Sequence, residues 1–208
     1  MSTTLYSNNR EVFVTSDLHL GHNRDFIFGP RGFSSVEDHD ETIIRNWNSV
    51  VGTDDIVLVL GDFVMGADRK GNLEKIKRLN GHIVICRGNH DTDIKMTDYY
   101  NCPNVSMRIM ENETYANIIQ IGKWSFYVCH YPTMIGDFNF IKPGHKKFCL
   151  HGHTHSQDKF QFLQYCCYNV ALDAHGNKPV NIKDIQKDLG EKMQALFVDR
   201  AKNNRQQN

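Results

Sequence analysis

Five short clusters of Asp, Asn and His each stand behind a run of apolar residues, and that placement limits the folds open to this chain. Residues 11–16 lead into Asp17-Leu18-His19, and Ile56–Leu60 leads into Gly61-Asp62. Ile83–Cys86 and Arg87 lead into Gly88-Asn89-His90-Asp91. Residues 124–129 run into His130, and 148–151 run into Gly152-His153-Thr154-His155. Short apolar runs bounded by turn residues read as strands. The clusters then fall at strand carboxyl ends, where open α/β sheets bind ligands.

The segments between the first three runs read as helices. Val36, Ile43, Ile44, Trp47, Val50 and Val51 recur close to a helical period. Ser34 with Glu37 forms a capping box before them, and Gly52 ends the helix. Residues 22–35, with Gly29, Pro30 and Gly32, read as a loop. A second helix runs through Leu73, Ile76 and Leu79. The order strand, helix, strand, helix, strand gives two crossover units. Residues 56–60 are apolar on both faces, so that strand is covered on both sides. Further strands are predicted over 115–121, 124–129, 148–151, 166–171 and 195–199, with a helix around 181–189 after Pro179. The expected architecture is α/β: two packed mixed sheets with helices outside, in a single domain over 1–199 followed by a polar tail over 200–208.

Composition narrows the partners. The 24 basic and 24 acidic residues of the 208 leave no net charge, and long nucleic acid usually demands a basic footprint. Lys142, Lys146 and Lys147, and then Arg200, Lys202 and Arg205, read as a solvated loop and a tail. The spacing of the six cysteines fits neither a zinc module nor a secreted disulfide framework, so they read as reduced and buried. With no signal peptide and no membrane span evident, a cytoplasmic protein is expected.

Each cluster alone has a bland reading. Asp-x-His can be a helix cap with a surface histidine, Gly-Asp is a common turn, and a strand-end histidine is usually a core residue. The conjunction points elsewhere. His153 and His155, two apart in extended backbone, face the same side. One Asn, two Asp and four His at strand ends exceed what a single four-coordinate zinc needs, and suit two divalent cations. Two such cations need an anionic bridge, and Asp62 on the central strand is the natural one. A mixed nitrogen and oxygen set suits Mn, Fe, Zn, Co or Ni better than Ca, with Mn the first choice in vitro. Such a pair lowers the pKa of a bridging water and neutralises a transferring phosphoryl group. His90 can then be the general acid, with Asp91 fixing its tautomer; the plain alternative for Asp91 is a turn or cap carboxylate.

As a set, Asp17-Leu18-His19, Gly61-Asp62, Gly88-Asn89-His90-Asp91, His130 and Gly152-His153-Thr154-His155 resemble the calcineurin-like metallophosphoesterase superfamily, in the family order over residues 17–155. The resemblance implies an αββα sandwich with a dinuclear site. It assigns Asp17, His19 and His155 to one metal, Asn89, His130 and His153 to the other, Asp62 to the bridge, and His90 to general acid. Arg31-Gly32-Phe33, Asn46-Trp47-Asn48, Asn169-Val170 and Pro179-Val180 look similar to a small branch of bacteria and phages.

The expected function is hydrolysis of a small phosphodiester or phosphomonoester. The alternatives are a nuclease or cyclic-nucleotide phosphodiesterase using the same centre, or a non-catalytic protein-binding scaffold. His22 and Arg87 are candidate substrate contacts, His151 a hydrogen bonder behind the ligands, and Tyr131-Pro132 a pocket wall. His39, His82, His145 and His175 read as surface or structural. The oligomeric state is not legible.

Overall fold

A computed structural model describes Thr3–Thr4 and residues 10–106, 115–134, 144 and 146–206. Lys142 and His145 lie outside the described residues. The strands are β1 (Thr3–Thr4), β2 (Val12–Thr15), β3 (Ile56–Val59), β4 (His82–Ile85), β5 (Ala116–Ile121), β6 (Trp124–Cys129), β7 (Lys147–His151), β8 (Cys167–Asn169) and β9 (Val180–Asn181). The α-helices are α1 (Asp25–Phe28), α2 (Val36–Asn48), α3 (Arg69–Lys77), α4 (Asp93–Tyr100) and α5 (Ile182–Gln206).

Two mixed sheets result. One has the order β4-β3-β2-β9, and the other β1-β5-β6-β7-β8. In the first, β2, β3 and β4 are parallel and β9 is antiparallel. In the second, β5 and β6 are antiparallel while β6, β7 and β8 are parallel. β3 shows why both of its faces had to be apolar. Ile56 and Leu58 join Val14, Val84, Phe126, Phe148 and Tyr168 in the core between the sheets. Val57 and Val59 face the opposite way, against Ile43 and Trp47 of α2, Ile76 of α3 and Tyr99 of α4. β3 is therefore packed on both faces, by the other sheet on one side and by helices on the other.

Several elements differ from the sequence reading. The strand expected over 195–199 is helical, because α5 runs from Ile182 to Gln206. Ile182, Ile185, Leu189 and Met193 all reach the inter-sheet core, and that helical spacing carries the segment on past 189. The cap of α2 is Ser35, whose hydroxyl accepts the Asp38 N–H at 3.1 Å, one residue beyond the expected box. The loop over 22–35 contains the short α1, and α4 was not foreseen. Among the described residues no helix is long and apolar enough to cross a membrane.

The six cysteines are buried and free. Three of them, Cys129, Cys149 and Cys167, form their own small cluster on β6, β7 and β8, with Sγ of Cys129 and Cys149 3.7 Å apart.

Candidate metal centre

The ends of β2 and β3 continue as a zipped pair of loops. The N–H groups of Asp17, His19 and Leu20 donate to the carbonyls of Gly61, Asp62 and Phe63 at 3.0–3.1 Å. This backbone ladder fixes the first two clusters against each other. The tight path has a conformational cost. Asp17, His19, Asp62, His153 and His155 all have positive φ, between 49° and 71°. Side-chain-bearing residues avoid that region by about 1–2 kcal/mol each, and such strain gathers at functional sites.

Two glycines of the motifs are required for space. A Cβ on Gly88 would lie 2.3 Å from Asp62 Oδ1, and one on Gly152 would lie 2.2 Å from Asp17 Oδ2. Each lets one loop close on a carboxylate of another.

All seven candidate ligands meet. The ligand atoms of Asp17, His19 and His155 lie within 4.8 Å of one another, as do those of Asp17, Asp62 and His130. Asp62 Oδ2 sits 3.7 Å from His19 Nε2 and 3.5 Å from His130 Nε2, between the two halves. Asn89 Oδ1 is 2.7 Å from His130 Nε2 and 3.0 Å from His153 Nδ1. Asp17 stands next to both groups, whereas the family resemblance placed it in one.

The donor set fits a cation. Asp17 Oδ1 is buried without a hydrogen-bond partner, while Oδ2 accepts the His153 N–H at 2.9 Å. Burial raises the Asp17 carboxyl above its usual range, against smaller opposing effects from His130 and His155. A positive charge there would offset that cost. Burial and the neighbouring His155 hold His19 far below the usual histidine range, and burial also lowers His153. Neutral imidazoles keep a lone pair for metal. His130 is oriented from behind, its Nδ1 2.8 Å from the Leu60 carbonyl.

His90 stands at the rim. Its side chain is 47% exposed, and its Nε2 lies 4.0 Å from Asp62 Oδ2. Its backbone N–H donates to Asp62 Oδ1 at 2.9 Å. Asp91 does not orient it. That expectation is corrected: the buried Asp91 carboxylate accepts the N–H groups of Asp62 at 2.7 Å, Gly88 at 2.9 Å and Phe63 at 3.3 Å, and the Tyr99 hydroxyl at 2.9 Å. It ties the loops after β3 and β4 together beneath the centre.

His22 lies beside the centre, its ring 5.5 Å from that of His19. It borders a cavity of about 600 Å³ between residues 21–24 and 65–68. Arg87 is paired with Asp93 and stacks over Tyr115, as an ion pair within the structure would. His151 is buried with Nδ1 2.9 Å from the Gly152 carbonyl, and Tyr131 packs on His153 with ring centres 4.7 Å apart.

Sequence reasoning missed the groups behind His155. Its Nδ1 lies 3.3 Å from Asp173 Oδ2, which Arg31 also holds. Burial depresses the His155 pKa, but the hydrogen bond to Asp173 and the charge of Asp17 outweigh it, and the net shift is upward. For Asp173 burial acts upward and is outweighed by His155 and Arg31, so its carboxyl is held well below the usual range. The one signal available was an Asp shortly after a strand end, too common to single out.

Two mixed sheets flanked by helices thus carry, at their strand ends, Asp and His groups able to hold metal ions. A family model described as calcineurin-like phosphoesterase matches residues 11–188, and the chain belongs to that family. An uncharacterized protein of Methanocaldococcus jannaschii is 30% identical over 183 residues, covering 86% of this chain and 90% of its own. The gene 66 protein of Mycobacterium phage L5 is 30% identical over 163 residues, covering 70% and 77%, and fits the small phage-type branch. A solved structure of a protein of unknown function from Aquifex aeolicus shares the fold at TM-score 0.63 and 21% identity, covering 86% of this chain and 99% of that one.

Proposed function

We propose that this protein hydrolyses a small phosphodiester or phosphomonoester. Asp17, His19, Asp62, Asn89, His130, His153 and His155 hold two divalent cations, Mn the first choice in vitro, and His90 is the general acid. The observation that carries this reading is Asp62. One of its oxygens faces His19 and His130 from the two halves at 3.7 and 3.5 Å, while the other is pinned by the His90 N–H.

When bound, the cations supply a water of lowered pKa and neutralise the phosphoryl oxygens. The chain does the rest. Asp62 and Asp17 bring the negative charge that lets two cations lie close. His130, locked by the Leu60 carbonyl, presents Nε2 in one orientation. His90, half exposed at the rim, would give a proton to a departing alkoxide.

The test is turnover. Purified protein with Mn²⁺ is expected to hydrolyse chromogenic phosphate bis-esters or mono-esters, and Asp62→Ala to lose most of that rate. Full activity in Asp62→Ala would remove the mechanism. A nuclease reading is less well supported. Lys146 and Lys147 sit at the start of β7, the end opposite His151, and Lys146 lies over the Trp124 ring.

A further inference from the structure

We infer that Asp173 is the positioning carboxylate of His155, and that Arg31 clamps it between the two loops that build the Asp17–His19–His155 half of the centre. The inference rests on the metal-centre reading above and adds a division of labour between its two halves.

The geometry starts at His155. Its Nδ1 faces Asp173 Oδ2 at 3.3 Å, and its Nε2 faces Asp17 Oδ1 at 3.7 Å and His19 Nε2 at 3.1 Å. A carboxylate accepts but cannot donate, so the ring proton sits on Nδ1 and the Nε2 lone pair points to the centre. A carboxylate behind a ligating histidine also makes it a stronger donor than a neutral carbonyl does. The other half has the weaker arrangement, since His130 is backed by the Leu60 carbonyl.

Asp173 is largely buried, with 9% of its side chain exposed, and a buried carboxylate needs a partner. Arg31, 2% exposed, supplies it through Nε at 3.0 Å and an Nη at 2.8 Å. The rest of the guanidinium reaches the other loop. It donates to the Asp17 carbonyl at 2.7 Å and the Leu18 carbonyl at 3.3 Å. One planar fork therefore joins the segment after β8 to the segment after β2. A lysine could not make that set of bonds.

The fork is itself braced. Arg31 Nη1 lies 3.0 Å from His39 Nε2, which must accept. The His39 proton then sits on Nδ1 and is donated to Asp40 Oδ1 at 2.8 Å. Asp40 Oδ2 takes the Gly21 N–H at 2.9 Å and Lys75 at 2.7 Å. Among the described residues, none of these groups touches Asn89, His130 or His153. The clamp acts directly on His155 and on the Asp17 backbone, and Asp17 in turn accepts the His153 N–H of the other half.

The experiment is a Co²⁺ titration of the metal-free full chain, followed by visible absorption and by competition with a chromophoric chelator. The wild type is expected to bind two ions. Asp173→Ala is expected to weaken one of them by roughly 10–100-fold, leaving the affinity and absorption band of the other unchanged. Arg31→Lys should weaken the same ion. Asp173→Asn, nearly isosteric, stands in if the alanine variant fails to fold, with circular dichroism as the check. Two ions bound at wild-type affinity by a folded Asp173 variant would overturn the inference, as would equal weakening of both. A wild type that binds no Co²⁺ would take the metal-centre reading down with it.

Discussion

The Asp91 carboxylate accepts the backbone N–H of Asp62 at 2.7 Å, so the residue after His90 holds the bridge candidate in place from below. The same carboxylate takes the N–H of Gly88, the N–H of Phe63 and the hydroxyl of Tyr99. Asp91→Asn puts an amide donor among these donors. It is expected to destabilise the metal-free protein by about 2–4 kcal/mol, while Tyr99→Phe costs about 1 kcal/mol. Urea unfolding of the two variants measures both. A neutral Asp91→Asn would show that the loops stand without this anchor.

His90 is the proposed acid, and its effect depends on the leaving group. With an alkyl phosphoester, His90→Asn should lower kcat by roughly 10²–10⁴-fold. With a nitrophenyl ester, whose leaving phenolate needs little protonation, the loss should be far smaller. Equal losses on both substrates would assign His90 to binding instead of proton donation. Metal content should not change, because His90 is not in the ligand set.

Cation binding should also stabilise the fold. A ligand at a hundred times its Kd adds about 2.7 kcal/mol, and this appears as a rise in Tm on adding Mn²⁺ that EDTA reverses. The strained backbone at Asp17, Asp62 and His153 and the buried Asp17 carboxylate are the costs that such binding offsets. Asp62→Ala should lose the Mn²⁺-dependent rise. A Tm that ignores Mn²⁺ in the wild type would count against the centre.

His175 gives a pH dependence away from the metal ligands. Burial lowers its pKa, outweighing the bond from its ring to the Asn169 carbonyl, 2.8 Å away. Its folded pKa lies below the unfolded value of about 6.5, so the unfolded chain binds the proton first. Its contribution is therefore intact above about 6.5 and is lost as pH falls from there toward the folded pKa. His175→Gln should flatten the stability profile in that window relative to wild type. A steeper profile in the variant would reverse the sign of this argument.

Much of the centre was legible because its signals are local. Asp17, His19, Asp62, Asn89, His130, His153 and His155 could be read as strand-end groups from the apolar runs before them, and they do converge. The two-faced apolar run of β3 foretold burial on both sides, which the two cores show. Residues 195–199 misled because five residues of an amphipathic helix can pass for a strand. Only the spacing from Ile182 through Met193 separates the two readings.

By itself the sequence determined the first parallel strands with the helices between them and the identity of the groups at the strand ends, because periodicity and turn chemistry act over a few residues. Only the tertiary structure decided what stands behind those groups. Asp91 turned from His90 to the amides beneath Asp62, and Arg31 met Asp173 across 142 positions of chain. Cys129, Cys149 and Cys167 likewise became neighbours only when three strands lay side by side. Such contacts depend on how two sheets and their loops are stacked, and no short stretch of sequence encodes that.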